Sequence, residues 1–228
     1  MPAHNEGEVI GGVIRDIRRA CHYEIFVVDD ASTDDTIRAA TEAGATVIPL
    51  AAQLGAWGAT QTGLRYALRS GIDTVISMDA DGQHSAASIP ELLAPVLNQQ
   101  ADVVIGACTQ RGSILRKIAW RLMKRTSGLA LEDITSGFRV YNNEAVKALA
   151  SWRATLLDYQ DVGVLMLLQA KGMRIKDMPV KMQPRIDGKS RIFHSWVIVA
   201  YYMSQTLVLG MSKRRARHSS NKYIVRGQ

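Results

Sequence analysis

Ser77-Met78-Asp79-Ala80-Asp81-Gly82-Gln83-His84 directly follows the apolar stretch Thr74-Val75-Ile76, and its reading decides the fold. An apolar run that ends in Asp-Ala-Asp has the pattern of a buried strand delivering carboxylates to its carboxyl edge. Open α/β sheets bind ligands at that edge. Two hard oxygen donors one residue apart suit a divalent cation, Mg²⁺ or Mn²⁺, that takes further ligands from the phosphates of a nucleotide. Asp-x-Asp also occurs in solvated turns, so the rest of the chain has to carry the argument.

Around this stretch, strand and helix patterns alternate. Glu24–Val28, Thr46–Leu50, Thr74–Met78 and Asp102–Gly106 are expected strands. Asp34–Ala43, Gly55–Ser70 and Pro90–Asn98 are expected helices, the last opened by a proline suited to a first turn. The rhythm predicts an α/β fold with a mostly parallel sheet covered by helices on both faces. At 228 residues the chain can bury a full core, and 47% hydrophobic with 21% charged residues excludes general disorder. Cys21 and Cys108 have neither zinc-site nor disulfide-framework spacing and read as reduced thiols of a cytoplasmic protein. The start, Met1-Pro2-Ala3-His4-Asn5-Glu6, lacks the basic-then-apolar pattern of a signal peptide.

A second acidic loop, Val28-Asp29-Asp30-Ala31-Ser32-Thr33-Asp34-Asp35-Thr36, follows the first expected strand. A carboxylate at a strand end can accept hydrogen bonds from a base or ribose, and Asp30 is read so. Ser32, Thr33 and Asp34 read as caps of the next helix, with Asp29 solvated.

Five blocks now stand in order: Pro2-Ala3-His4-Asn5-Glu6, Val28 to Asp34, Asp79 to His84, Thr135-Ser136-Gly137-Phe138-Arg139, and Arg185-Ile186-Asp187-Gly188-Lys189-Ser190-Arg191. Together they resemble glycosyltransferase family 2, on its dolichyl-phosphate mannosyltransferase-like, or polyprenyl-phosphate glycosyltransferase, branch. The resemblance implies a GT-A fold, a UDP- or GDP-sugar donor, a Mg²⁺ or Mn²⁺ ion, and inversion at the sugar carbon. It implies that Pro2, His4, Glu6, Val28 and Asp30 line a nucleoside pocket, that Asp79 and Ala80 contact the nucleotide, and that Asp81 and Gln83 hold the metal. Arg185 and Arg191 match the family's phosphate-binding arginine loop, with Arg191 where lysine is usual, and Arg116 is a looser third phosphate contact. Arginine forks suit such anions better than lysine.

Asp133 is the best candidate for a general base if the acceptor is a hydroxyl; orienting its own loop or Arg139 is an equal alternative. A phosphate acceptor needs no base, because its oxygens are already anionic at neutral pH. His84 could bind metal or phosphate, although capping the following helix is the simpler role. The chain also departs from the family. His4 replaces a tyrosine, Cys108 and Gly163 stand where an arginine and a glutamate are usual, and the apolar strand expected ahead of Pro2 is missing. These departures keep open a catalytically weakened, sugar-nucleotide-binding membrane-associated protein. A sugar-nucleotide nucleotidyltransferase is the other alternative, although its Gly-rich phosphate loop is not found near the start.

The expected organisation is a transferase domain over 1–192, an apolar helix over 193–211 and a basic tail over 212–228. The apolar run from Trp196, interrupted by Ser204, Gln205 and Thr206, is shorter than the roughly 20 residues that span a bilayer. Trp196, Tyr201 and Tyr202, followed by Lys213, Arg214, Arg215 and Arg217, suit an interfacial helix with a basic patch. The net charge of +7 is concentrated there. The expected partners are a nucleotide-sugar donor, a polyprenyl-phosphate acceptor and the cytoplasmic face of a membrane, not nucleic acid. The alternative for the helix is packing against the domain itself.

Overall fold

The chain is described from a computed structural model over residues 1–108, 131–155 and 162–183. Arg116, Arg185, Arg191, Asp158, Asp161 and the C-terminal apolar and basic segments lie outside these residues. Met1–Gln110 and Glu132–Gly188 form one compact unit. A second unit takes Arg111–Leu131 and Lys189–Gln228.

Within the first unit, β1 (Pro2–Ala3), β2 (Phe26–Asp29) and β3 (Thr46–Pro49) form a parallel sheet in the order β1-β2-β3. β1 joins this sheet through two residues, with Pro2 opposite Val28 and Ala3 opposite Asp29. A second sheet takes β4 (Thr74–Ser77), β5 (Val103–Ala107), β6 (Arg139–Asn142) and β7 (Ile175–Pro179) in the order β4-β6-β5-β7. Here β6 runs antiparallel to both neighbours, while β5 and β7 are parallel. The sequence suggested a mostly parallel α/β sheet, and β6 is the strand that departs from it. Its stretch, Arg139-Val140-Tyr141-Asn142, is too short to reveal a direction before its neighbours are known.

The connections are helical: α1 (Ile10–Ala20), α2 (Thr36–Glu42), α3 (Gly55–Arg69) and α4 (Ile89–Leu97). Then come α5 (Asn143–Ala150), the short α6 (Trp152–Thr155) and α7 (Val162–Ala170). Helix α1 went unread in the sequence although Ile10, Val13, Ile14 and Ile17 recur at helical spacing and are all buried. Ile10, Ile14, Val27, Leu92, Val104, Phe138 and Val140 form the centre of the core. Helix α3 is tied to the end of α5 by polar side chains. Gln61 Nε2 donates to Leu149 O at 2.8 Å and Arg65 Nε to Ala150 O at 3.0 Å, so carbonyls left over at a helix end find donors.

One carboxylate ties three strands of the second sheet. Asp102, just before β5, accepts from the backbone N–H of Arg174 at 2.7 Å, from its Nη2 at 2.9 Å, and from Asn142 Nδ2 at 3.0 Å. The bonds from Arg174 hold the Asp102 carboxyl below the ordinary range, against a smaller upward push from burial. A depressed carboxyl stabilises the fold above its unfolded pKa and ceases to do so as pH falls through the folded one. Asp102→Asn should therefore lower stability by about 1 kcal/mol at neutral pH, the pair being partly exposed. Urea denaturation should show that deficit shrinking below about pH 4, where the parental carboxylate also protonates. A deficit that does not change with pH would contradict this assignment.

Candidate functional site

The loops that follow β1, β2 and β4 supply most of the singled-out residues. After β1, His4 Nδ1 lies 2.8 Å from Asp30 O, and Asn5 N donates to Ser32 Oγ at 2.9 Å. Glu6 N donates to Thr36 Oγ1 at 2.8 Å, Gly7 N to Asp34 Oδ2 at 3.0 Å, and Thr33 N to Asn5 Oδ1 at 2.8 Å. Ser32 and Asp34, expected to cap the second helix, fasten two strand-end loops to each other, and Asp34 Oδ1 also accepts from Thr36 N, the first amide of α2, at 3.0 Å. The expectation of a solvated Asp29 is also corrected: it is 1% exposed and accepts from Ser32 N at 3.1 Å. The inward face of a β-strand is where its side chain must go.

Asp30 is 3% exposed, and both its carboxylate oxygens accept backbone hydrogen bonds, from Leu54 N at 2.6 Å and Gly55 N at 2.9 Å. Those amides open α3, where unpaired N–H groups and the helix dipole favour a negative charge. Asp30 thus anchors the start of α3 beside His4, a role its position in sequence did not reveal. Pro2 and Val28 pair within the β1–β2 ladder.

After β4 the chain turns through Asp79, Ala80, Asp81 and Gly82. Gly82 has φ 74°, and a Cβ there would stand 3.0 Å from Val9 Cγ1, so glycine alone fits the turn against the segment entering α1. Asp81 Oδ1 accepts from Gln83 N at 3.1 Å, a local turn that holds both proposed metal-binding side chains in one loop. His84 does not cap the next helix, as expected. Its ring is buried against Phe138, with centroids 5.1 Å apart, and its Nε2 lies 3.1 Å from Asp79 Oδ2. The Asp79 side chain keeps 40% of its surface open. Desolvation pushes its carboxyl up, but His84, Arg139 and the Met1 ammonium outweigh this and hold it below the ordinary range.

Gly137 closes over the same carboxylate. A Cβ at this position would come within 2.6 Å of Asp79 Oδ2, closer than any real contact allows. Ser77 Oγ donates to Gly137 O at 2.7 Å and fixes that approach. Neither Gly137 nor His84 was assigned this role from sequence. Only the position of each inside a motif block marked it.

Asp133 is placed to orient its own loop, one of its two expected roles. It accepts from Thr135 N at 3.0 Å, Thr135 Oγ1 at 2.9 Å and Cys108 N at 3.2 Å. The fully buried Arg139 donates Nε to Ser136 O at 2.7 Å and Nη2 to Ile134 O at 2.9 Å. Carbonyls of its own loop thus solvate a buried charge, which would otherwise be costly. Further on, Gln183 N donates to Gln83 O at 2.8 Å, bringing the chain past the Asp81–Gln83 loop two residues before Arg185.

A Mg²⁺ or Mn²⁺ ion fits this donor chemistry. Asp79, Asp81 and the Gln83 amide offer hard oxygens in one turn. Among the described residues no cluster of three His, Cys, Asp or Glu could enclose a metal alone. A cation completed by phosphate and water oxygens needs only one or two carboxylates.

Residues 1–150 match the family model of glycosyl transferase family 2. The chain is 31% identical over 212 residues to an undecaprenyl-phosphate mannosyltransferase of Micrococcus luteus, covering 84% of this chain and 85% of that protein. It is 30% identical to a polyprenol monophosphomannose synthase of Mycolicibacterium smegmatis over 65% of this chain and 62% of that protein. Among solved structures it resembles glucosyl-3-phosphoglycerate synthase of Mycobacterium tuberculosis in complex with Mn²⁺, UDP and phosphoglyceric acid. The TM-score there is 0.69 at 21% identity, over 93% of this chain and 76% of that one. The architecture is therefore the expected GT-A fold.

The Asp133 clamp can be tested without any ligand. Asp133→Ala should lower the folding stability by about 1–3 kcal/mol, because the Cys108 and Thr135 amides lose a buried acceptor. An unchanged urea midpoint would show that those amides are satisfied elsewhere.

Proposed function

The chain belongs to glycosyl transferase family 2, on its polyprenyl-phosphate glycosyltransferase branch, and on that premise we propose that it transfers a sugar from a nucleotide-sugar donor to a polyprenyl phosphate with inversion. The observation that carries this reading is the turn after β4, where Asp79 lies against Gly137 and is fixed by His84, with Asp81 and Gln83 following in the same turn. In the proposed reaction an acceptor phosphate oxygen attacks the anomeric carbon. One carbon–oxygen bond forms as the bond to the nucleoside diphosphate breaks, and the displaced diphosphate leaves with the bonding pair.

Asp81 and Gln83 would hold the Mg²⁺ or Mn²⁺ ion, whose contribution when bound is to offset the diphosphate's negative charge. Asp79 and Ala80 face the nucleotide in this reading, and Pro2, His4, Glu6, Val28 and Asp30 form the nucleoside side. The Asp30 carboxylate would act there chiefly by positioning Leu54 and Gly55. Arg185, Arg191 and Arg116 are assigned to donor and acceptor phosphates. The path of Gln183 past Gln83 supports this for Arg185. Because a phosphate acceptor is already an anion, no proton has to leave during attack, and Asp133 is free to serve as a clamp.

Among the described residues no helix is long and apolar enough to cross a membrane. The interfacial helix over 193–211 and the basic tail over 212–228 lie outside them and complete the proposal. They would hold the site at a cytoplasmic lipid surface, where the acceptor resides.

The experiment is a transfer assay with UDP- and GDP-sugars, a short-chain polyprenyl phosphate and Mn²⁺. Asp81→Ala should abolish turnover while the protein stays folded, and Gly137→Ala should lower it on the order of 10²-fold by displacing Asp79. Arg185→Ala should cost far more than Arg125→Ala. Metal-dependent turnover at near parental rate in Asp81→Ala would overturn the metal assignment.

A further inference from the structure

Asn5, between His4 and Glu6 in the loop after β1, has φ 53°, a left-handed conformation that asparagine tolerates better than most side chains. Its backbone N–H donates to Ser32 Oγ at 2.9 Å. Its Oδ1 accepts from Thr33 N at 2.8 Å, with Thr33 Oγ1 3.4 Å away. A backbone N–H can be met only by the oxygen of a carboxamide, so the Thr33 bond decides which way the Asn5 side chain is turned. The NH₂ group then lies on the other side, where Nδ2 is 3.4 Å from His4 Nε2.

The state of the His4 ring follows from the same donor and acceptor rules. Nδ1 lies 2.8 Å from Asp30 O, a carbonyl that can only accept, so Nδ1 carries the proton. Nε2 faces an NH₂ group that can only donate, so Nε2 keeps its lone pair. His4 is therefore held as the neutral Nδ1–H tautomer, whereas a free neutral histidine favours Nε2–H. Both ring nitrogens are directed at the chain's own loops, and the face of the ring is what remains to meet a planar ligand.

We propose that Asn5 is a positioning residue for nucleotide binding: it locks His4 in one tautomer and one orientation, so that the nucleobase meets a ring already fixed. The proposal rests on the reading of His4 as part of the nucleoside side. Asn5 does not touch the base and acts through His4 alone. Ordering the ring before the ligand arrives removes a cost that binding would otherwise carry. The ties to Ser32 and Thr33 serve the same end, because they hold Asn5 itself against the loop after β2.

The test uses the full-length protein with Asn5→Gly, His4→Ala and the two combined. Glycine adopts φ 53° without strain and keeps the N–H that donates to Ser32, so Asn5→Gly removes the side chain alone. Nitrogen NMR of the ligand-free protein at about pH 8, above the ordinary histidine range, should find the His4 proton on Nδ1. Asn5→Gly should shift it toward Nε2. Calorimetry with UDP and with GDP, each with Mn²⁺, should show Asn5→Gly weakening the nucleotide that binds by about tenfold, the scale of one net hydrogen bond. In the His4→Ala background the same change should cost less than about twofold, because the residue it acts through is gone. A parental proton on Nε2 would overturn the lock. Equal losses of affinity with and without His4 would overturn the positioning role and leave Asn5 a loop staple. If neither nucleotide binds the parental protein, the nucleoside reading fails and takes the proposal with it, whichever tautomer is found.

Discussion

The position of the Asp79 carboxylate depends on the lack of a side chain at residue 137. A Cβ at Gly137 would force the Asp79 carboxylate to shift, and His84 Nε2 holds that carboxylate at 3.1 Å. Ser77, the last residue of β4, fixes Gly137 O, so the strand that carries the acidic turn also positions the loop closing over it. The result is a preorganised acidic edge whose geometry is set before any ligand arrives. Preorganised charge of this kind contributes most to binding and turnover of anionic, metal-bound substrates.

Several buried charges shape this arrangement by pairing with backbone groups. Arg139 is fully buried, yet it spends its donors on Ser136 O and Ile134 O and so shapes the loop containing Gly137. Asp133 holds the same loop to Cys108 at the end of β5. Asp30 fastens the start of α3 to the end of β2. In each case a charged side chain pairs with backbone groups of a loop or a helix start. Charged residues near such a site thus also hold the loops that shape it, as Asp133 does for the loop of Thr135.

β2, β3, β4 and β5 were legible as short apolar runs, and their bounds were read to within about two residues, whereas β7 went unread. Helix α1 was legible but unread. The antiparallel β6 was not legible, because Arg139-Val140-Tyr141-Asn142 carries no mark of direction and takes it from β4 and β5. At the site, the Asp79 and Asp81 pair stood out by its place after an apolar run, and the family resemblance added Gln83. The contact of His84 with Asp79 was not, nor was the stapling of Asn5 and Gly7 to Ser32 and Asp34. Hydrogen bonds between loops more than 25 residues apart leave no periodic trace in a sequence.

The claim that the acidic edge binds a metal–nucleoside diphosphate is tested most directly by thermal shift with UDP and GDP, each with and without Mn²⁺. A ligand that binds only the folded state raises the melting temperature in proportion to its affinity. The account predicts a clear rise for one of the two nucleotides when Mn²⁺ is present, and little or none for the nucleotide or the metal alone. A rise of the same size without Mn²⁺, or none with either nucleotide, would contradict it.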